Sequence, residues 1–180
     1  EQGSFLILVT VLSMIITPFM VNNIYKLASL FVVEFYESDK ITPIKDTNHT
    51  IICGFSRVGE IVAKKLKEQD EHFLIISDNL QHVLSAQQQG YRAYFGHLDK
   101  LPVLESLKVE QSSSIIITVN TLNTKKIICE SVLNHHPNAN LIVKINALED
   151  KVKFNGLAVN SFVHAQYETA VLLVKNALAR

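Results

Sequence analysis

Residues 50–59 read TIICGFSRVG. An apolar, β-branched run ends at Gly54, and a second glycine, Gly59, opens an amphipathic stretch. A short Ile-rich run bounded by glycine reads as a buried strand. The stretch after it, with Val58, Ile61, Val62 and Leu66 on one face, reads as a helix. A strand that turns directly into a helix through spaced glycines is the context of the G-x-G-x-x-G fingerprint. Gly54 permits the tight turn, and Gly59 permits close helix–strand packing. The middle glycine, which lets a pyrophosphate approach bare backbone, is Ser56 here. A serine hydroxyl can still donate to a phosphate, and the amides at the helix start are anion ligands in their own right. The turn Gly54, Phe55, Ser56, Arg57, Val58, Gly59 is therefore the first candidate site.

Working outward, apolar runs recur at 50–53, 73–77, 91–95, 114–119, 141–145 and 161–164. Helical patterns lie between them: Leu80, Val83 and Leu84, closed by Gly90, and Ile127, Ile128, Val132 and Leu133, closed by Pro137. Strand–helix alternation predicts an α/β, Rossmann-like parallel sheet with helices on both faces. Ligands in such sheets bind at the carboxyl ends of strands, where the strand order reverses.

An acid at the end of the second strand, about 20 residues after the turn, holds ribose hydroxyls in such folds. The sequence offers Ser77 and then Asp78. Either Asp78 takes the ribose, or Ser77 occupies that position and Asp78 caps the helix that begins near Leu80.

The amino-terminal part is different. Residues 2–25 carry no charge, and residues 5–21 read FLILVTVLSMIITPFMV. A spanning helix needs roughly 20 apolar residues. The run is slightly short, and Glu1 in place of Met suggests a cut piece of a longer chain. The hydroxyls of Thr10, Ser13 and Thr17 can bond back to helix carbonyls, and membrane helices tolerate Pro18. A signal peptide would want basic residues before the run and a small-residue cleavage site after it, and neither is present. The expectation is a transmembrane helix over 1–23, a linker over 24–48 containing Pro43, and an α/β domain over 49–180.

Composition excludes several classes. Lys plus Arg and Asp plus Glu each total 17, which argues against broad attraction to nucleic acid. Cys53 and Cys129, the two cysteines, sit in apolar runs with no CxxC or Cys/His cluster, so they read as buried thiols and no metal site is expected. His135 and His136 end a helix, where cations are mildly favourable.

Residues 50–66, TIICGFSRVGEIVAKKL, closely resemble the opening of the RCK (TrkA-N) domains of bacterial potassium-transport proteins. Residues 90–98, GYRAYFGHL, resemble the third strand and following Gly-Asp-Ala turn of those domains, and the resemblance runs from 49 to about 178. The segment LSMIITP at 12–18 is similar to the last membrane helix of Kef-type cation/proton antiporters. The resemblance implies a regulatory, non-enzymatic domain on the cytoplasmic side of a bacterial inner membrane. It further implies an antiporter chain upstream, a homodimer formed through the domain, NAD(H) or AMP as ligand, and a glutathione-type effector in some members. Carried over by position, the phosphate turn is Gly54, Ser56, Arg57 and Val58, and the ribose position is Ser77 or Asp78. The adenine-side turn is Gly96, His97 and Leu98, and Asn120 follows the fourth strand.

Three departures fall in one pocket: Ser56 for the middle glycine, Ser77 for the acid and His97 for the turn aspartate. They suggest an altered ligand, with NADP(H) suited by the missing carboxylate, or a pocket lost while the fold persists as a dimerisation scaffold. A nicotinamide-dependent oxidoreductase shares the first turn but would need a substrate region beyond the sixth strand and helix.

Overall fold

The computed structural model describes Ile7, residues 10–14 and residues 47–179. The chain divides into two units, Glu1–Ser38 and Asp39–Arg180.

In the first unit, Ile7 and residues 10–14 are helical and exposed. Thr10 Oγ1 donates to the Ile7 carbonyl at 2.9 Å, the back-bonding expected of a hydroxyl on an apolar helix. The remainder of the apolar run and the stretch 24–46 lie outside the described residues. Among the described residues, no helix is long and apolar enough to cross a membrane.

The second unit carries β1 (His49–Cys53), β2 (Phe73–Ser77), β3 (Ala93–Phe95), β4 (Ser112–Ile117), β5 (Leu141–Ile145) and β6 (Ser161–His164). The six strands form one parallel sheet in the order β3-β2-β1-β4-β5-β6. The α/β class and all six strands of the sequence reading are present. Three strands differ in their bounds: β1 begins at His49 rather than 50, β3 begins at Ala93 rather than 91, and β4 runs from Ser112 to Ile117 rather than from 114 to 119.

Helix α1 (Arg57–Glu68) follows β1, α2 (Leu80–Gln88) follows β2, and α3 (Leu101–Ser106) follows β3. Helix α4 (Leu122–His135) follows β4, a 3₁₀ turn (Leu148–Phe154) follows β5, and α5 (Ala165–Leu178) follows β6. Alternation along each strand splits the core. Ile51, Leu74, Ile76, Ile115 and Ile117 pack with Leu104, Leu107, Ile128, Cys129 and Val132 on one face. Ile52 and Ile75 pack with Ala63, Val83 and Ala86 on the other. Each fully buried Ile or Leu contributes about 1.5–3 kcal/mol, so these two clusters hold the sheet together.

Helices thus cover both faces across β1–β3. Over β4–β6 the second face stays partly open, because Ile116 and Ile142 are half-buried and Val163 is 38% exposed. Two helical stripes also differ from expectation. Ile61 is 55% exposed and Ile127 43% exposed, because Gly59 and Ala63 face the sheet in α1, and Lys125, Ile128, Cys129 and Val132 do so in α4. Close packing favours the small residues Gly59 and Ala63 where α1 lies nearest β1. Helix α5 has no buried residue, so its apolar face is not core within this chain.

Both cysteines are buried, as their apolar context predicts. Burial pushes the Cys129 thiol up to about 12, with Glu130 adding to the effect. Burial, then the Asp78 carboxylate, raises Cys53 likewise. The unfolded chain releases thiol protons near the ordinary value of 9.0, while the folded chain keeps them. The thiols therefore favour the fold fully below that value, and the contribution is lost as pH rises from there towards about 12. In mildly alkaline buffer, iodoacetamide should leave both cysteines unmodified in the native protein and label both after unfolding. Mass spectrometry reads the difference, and labelling of native protein would contradict the burial.

Candidate functional site

The strand order reverses between β1 and β4, so the crevice lies where the carboxyl ends of these two strands part. Gly54 leaves β1 with φ +95, a backbone state that an L side chain rarely adopts. A Cβ there would also lie 3.0 Å from Val119 Cγ1 and 3.1 Å from the Val119 nitrogen. Gly59 has a different reason to be glycine: a Cβ would collide with the Gly54 carbonyl oxygen and stand 2.9 Å from Thr118 Oγ1. The two glycines and Thr118 are one packed unit.

Thr118 was not apparent as a site residue in the sequence. It is 1% exposed, and its Oγ1 donates to the Gly54 carbonyl at 2.8 Å and the Cys53 carbonyl at 3.1 Å. Its own amide donates to the Cys53 carbonyl at 2.8 Å. Thr118 therefore ties the end of β1 to the end of β4 on both sides of the switch point. The signal available was a small polar residue closing the run Ile115, Ile116, Ile117.

Ser56 is the N-cap of α1 in position but not in hydrogen bonding: its side chain caps no amide. Its hydroxyl instead donates to the Thr118 carbonyl at 3.4 Å. The amides of Arg57, Val58 and Gly59 are thus left without a side-chain cap at the positive end of a 12-residue helix, the arrangement that receives an anion. Arg57 is exposed beside them. Phe55 lies inside the core, 5% exposed, edge-on to Tyr91 at 6.0 Å between ring centroids. Its contribution to the turn is packing.

At the end of β2, the two sequence alternatives separate. Ser77 is 4% exposed and its Oγ accepts from the Asn79 amide at 3.2 Å. Asn79, and not Asp78, caps α2: its Oδ1 accepts from the Gln81 amide at 2.9 Å and the His82 amide at 3.4 Å. Asp78 is exposed and free of capping duty. One of the two sequence alternatives made Asp78 the cap, but Asp78 precedes Leu80 by two residues and an N-cap must directly precede the first helical residue.

A small cavity brings Ser77, Asp78, Gly96, His97 and Leu98 together with Cys53 and Val119. Its volume is about 20 Å³, room for one water molecule, so a nucleoside would lie along the open crevice rather than inside it. His97 is exposed and edge-on to Phe95 at 6.4 Å, while Leu98 is buried in the core at 2% exposure. Asn120 stands apart from this cavity, at the β4–β5 side, where its Oδ1 accepts from Lys144 Nζ at 2.9 Å. Among the described residues, no group of three or more His, Cys, Asp or Glu could hold a metal ion.

This architecture recurs in known proteins. The TrkA-N domain of the inner membrane protein ybaL from Escherichia coli is 20% identical with a TM-score of 0.66, over 74% of this chain and 98% of that one. The Kef C-terminal domain from Shewanella denitrificans, in an AMP-bound form, is 20% identical with a TM-score of 0.61, over 74% of this chain and 82% of that one. The GsuK channel bound to NAD is 21% identical with a TM-score of 0.64, over 83% of this chain, which spans only 27% of that channel. These likenesses establish the fold. The family model described as the TrkA-N domain matches residues 50–165, more than half of the chain, and the chain therefore belongs to the TrkA-N domain family.

Proposed function

We propose that this chain is the regulatory nucleotide-binding part of a monovalent cation transporter, with residues 49–180 as the sensing domain. The observation that carries this is the glycine turn at the strand-order reversal, with uncapped amides at Arg57, Val58 and Gly59 facing the crevice end of α1. An adenine nucleotide, NAD(H) or AMP, would place its phosphate on those amides and its ribose at Asp78. The similar Kef domain is an AMP-bound form and the similar GsuK channel is bound to NAD. NADP(H) suits the crevice if His97 meets an added phosphate.

The wider assignment rests on sequence. The apolar run within residues 1–23 is proposed as the last transmembrane helix of a Kef-type potassium or sodium/proton antiporter, with residues 24–48 as linker. The domain would then lie on the cytoplasmic side of a bacterial inner membrane, respond to a glutathione-type effector and carry out no catalysis. A homodimer through this domain would cover the apolar side of α5, where Val171, Leu173, Val174 and Leu178 are all exposed.

One observation favours a second reading. The cavity beside Ser77 and His97 is small, which suits a domain that serves as a dimerisation scaffold with no ligand. Calorimetric titration of the full chain with NADH, NADPH and AMP separates the two. The expected result is micromolar binding of at least one, weakened about tenfold or more by Asp78→Ala through loss of charge-assisted hydrogen bonds. A folded sample that gives no heat with any of the three is a scaffold.

A further inference from the structure

Helix α4 breaks the rule that its sheet-facing stripe should be apolar. Its buried residues are Lys125, Ile128, Cys129 and Val132. Lys125 is 0% exposed, and its Nζ has no hydrogen-bond partner. A buried ammonium without an acceptor is costly, and natural folds keep one only where something compensates it. Among the described residues, no carboxylate bonds to it. Burial holds the Lys125 amine below its ordinary range, Lys144 pushes it further the same way, and Asp150 opposes. Asp150 is already engaged, its Oδ2 accepting from the Asn146 amide at 3.2 Å and the Ala147 amide at 3.1 Å.

The surroundings are built from donors. Lys125 lies in the first turn of α4, a 14-residue helix whose N-cap, Thr121, makes no side-chain cap. The amides of Leu122, Asn123 and Thr124 are therefore uncapped by any side chain, while that of Lys125 donates to the Thr121 carbonyl at 3.1 Å. Lys144 Nζ is anchored at the neighbouring strand end by Asn120 Oδ1, at 2.9 Å. Asn146 Nδ2 reaches the Asn120 carbonyl at 3.4 Å, the long limit of a hydrogen bond, and both asparagines are exposed. Two ammonium groups, a side-chain amide and a helix start thus gather at the carboxyl ends of β4 and β5. This is the opposite side of the switch point from the glycine turn.

We propose that these groups bind an oxyanion, a phosphate or carboxylate group of a small ligand, between Lys125 and Lys144. The Asn146–Asn120 contact opens to admit it. The ligand is separate from the nucleotide, whose phosphate belongs at α1. The site therefore does not depend on the nucleotide reading.

The test is calorimetric titration of the full chain with sodium phosphate and, in a second arm, sodium acetate, against sodium chloride at matched ionic strength. AMP is titrated in parallel. Wild type should show saturable binding of at least one oxyanion; the stronger arm tells phosphate from carboxylate chemistry. Lys125→Met should abolish that binding, leave the response to AMP as in wild type, and melt above wild type in chloride, because it replaces an unpaired buried charge by an apolar side chain of similar length. Lys144→Gln, at a half-buried position, should fold normally and weaken the oxyanion by at least about tenfold. It decides the matter if Lys125→Met does not fold. The proposal is overturned if wild type binds neither anion, or if a folded variant retains wild-type affinity. An absence of AMP binding alone would count against the nucleotide reading and leave this one standing.

Discussion

Gly59→Ala is expected to cost about 3 kcal/mol of folding stability, at the top of the usual range for overpacked positions. The added Cβ would collide with the Gly54 carbonyl oxygen and crowd Thr118 Oγ1 at 2.9 Å. Neither neighbour can move away cheaply. The carbonyl belongs to backbone already at φ +95, and it is held by the Thr118 hydroxyl at 2.8 Å. Relief would require α1 to withdraw from β1, which would unpack Ala63 from Ile52 and Ile75. Urea denaturation followed by far-ultraviolet circular dichroism measures the loss. Gly90→Ala is the internal comparison. Gly90 has φ +77 but open space around it, so that substitution should cost only about 1–2 kcal/mol of backbone strain. If Gly59→Ala proves no more harmful than Gly90→Ala, the close approach of α1 to the β1 turn is not rigid.

Thr118→Val is expected to cost about 2 kcal/mol, the range for leaving buried acceptors unpaired. Valine keeps the shape, so no cavity forms, and the effect isolates the hydroxyl. The Gly54 carbonyl would lose its 2.8 Å donor, and the Cys53 carbonyl would keep only the Thr118 amide. The same bonds set the angle at which the chain leaves β1, so the substitution should also weaken whatever binds at the α1 amides. Stability comes from denaturation and affinity from the nucleotide titration. Thr118→Ser, which keeps the hydroxyl, should recover most of the affinity. A Thr118→Val protein that loses stability but binds as wild type would show that the hydroxyl holds the strands together without shaping the turn.

The sequence alone determined the class of fold. Short Ile-rich runs that alternate with helical patterns fit a parallel sheet covered on both faces, and residues 50–59 mark where the first strand hands over to a helix. It also determined that Gly54 and Gly59 must be glycine, because turn and packing needs are written in their spacing. Local pattern could not assign the work of neighbouring polar residues. Ser77, Asp78 and Asn79 are adjacent in the chain and similar in chemistry, but only the helix start at Leu80 makes Asn79 the cap and leaves Asp78 exposed. Ser56 looked like a phosphate donor until the fold placed the Thr118 carbonyl within its reach, 62 residues away in the chain. Thr118 itself is invisible as a site residue until β4 lies beside β1. Lys125 reads as one more surface lysine in Asn-Thr-Lys-Lys, because helical periodicity does not reveal which of two adjacent lysines faces a sheet. Tertiary structure decided all of these, since each depends on which distant backbone group arrives within hydrogen-bond distance, and that is set by strand order and register.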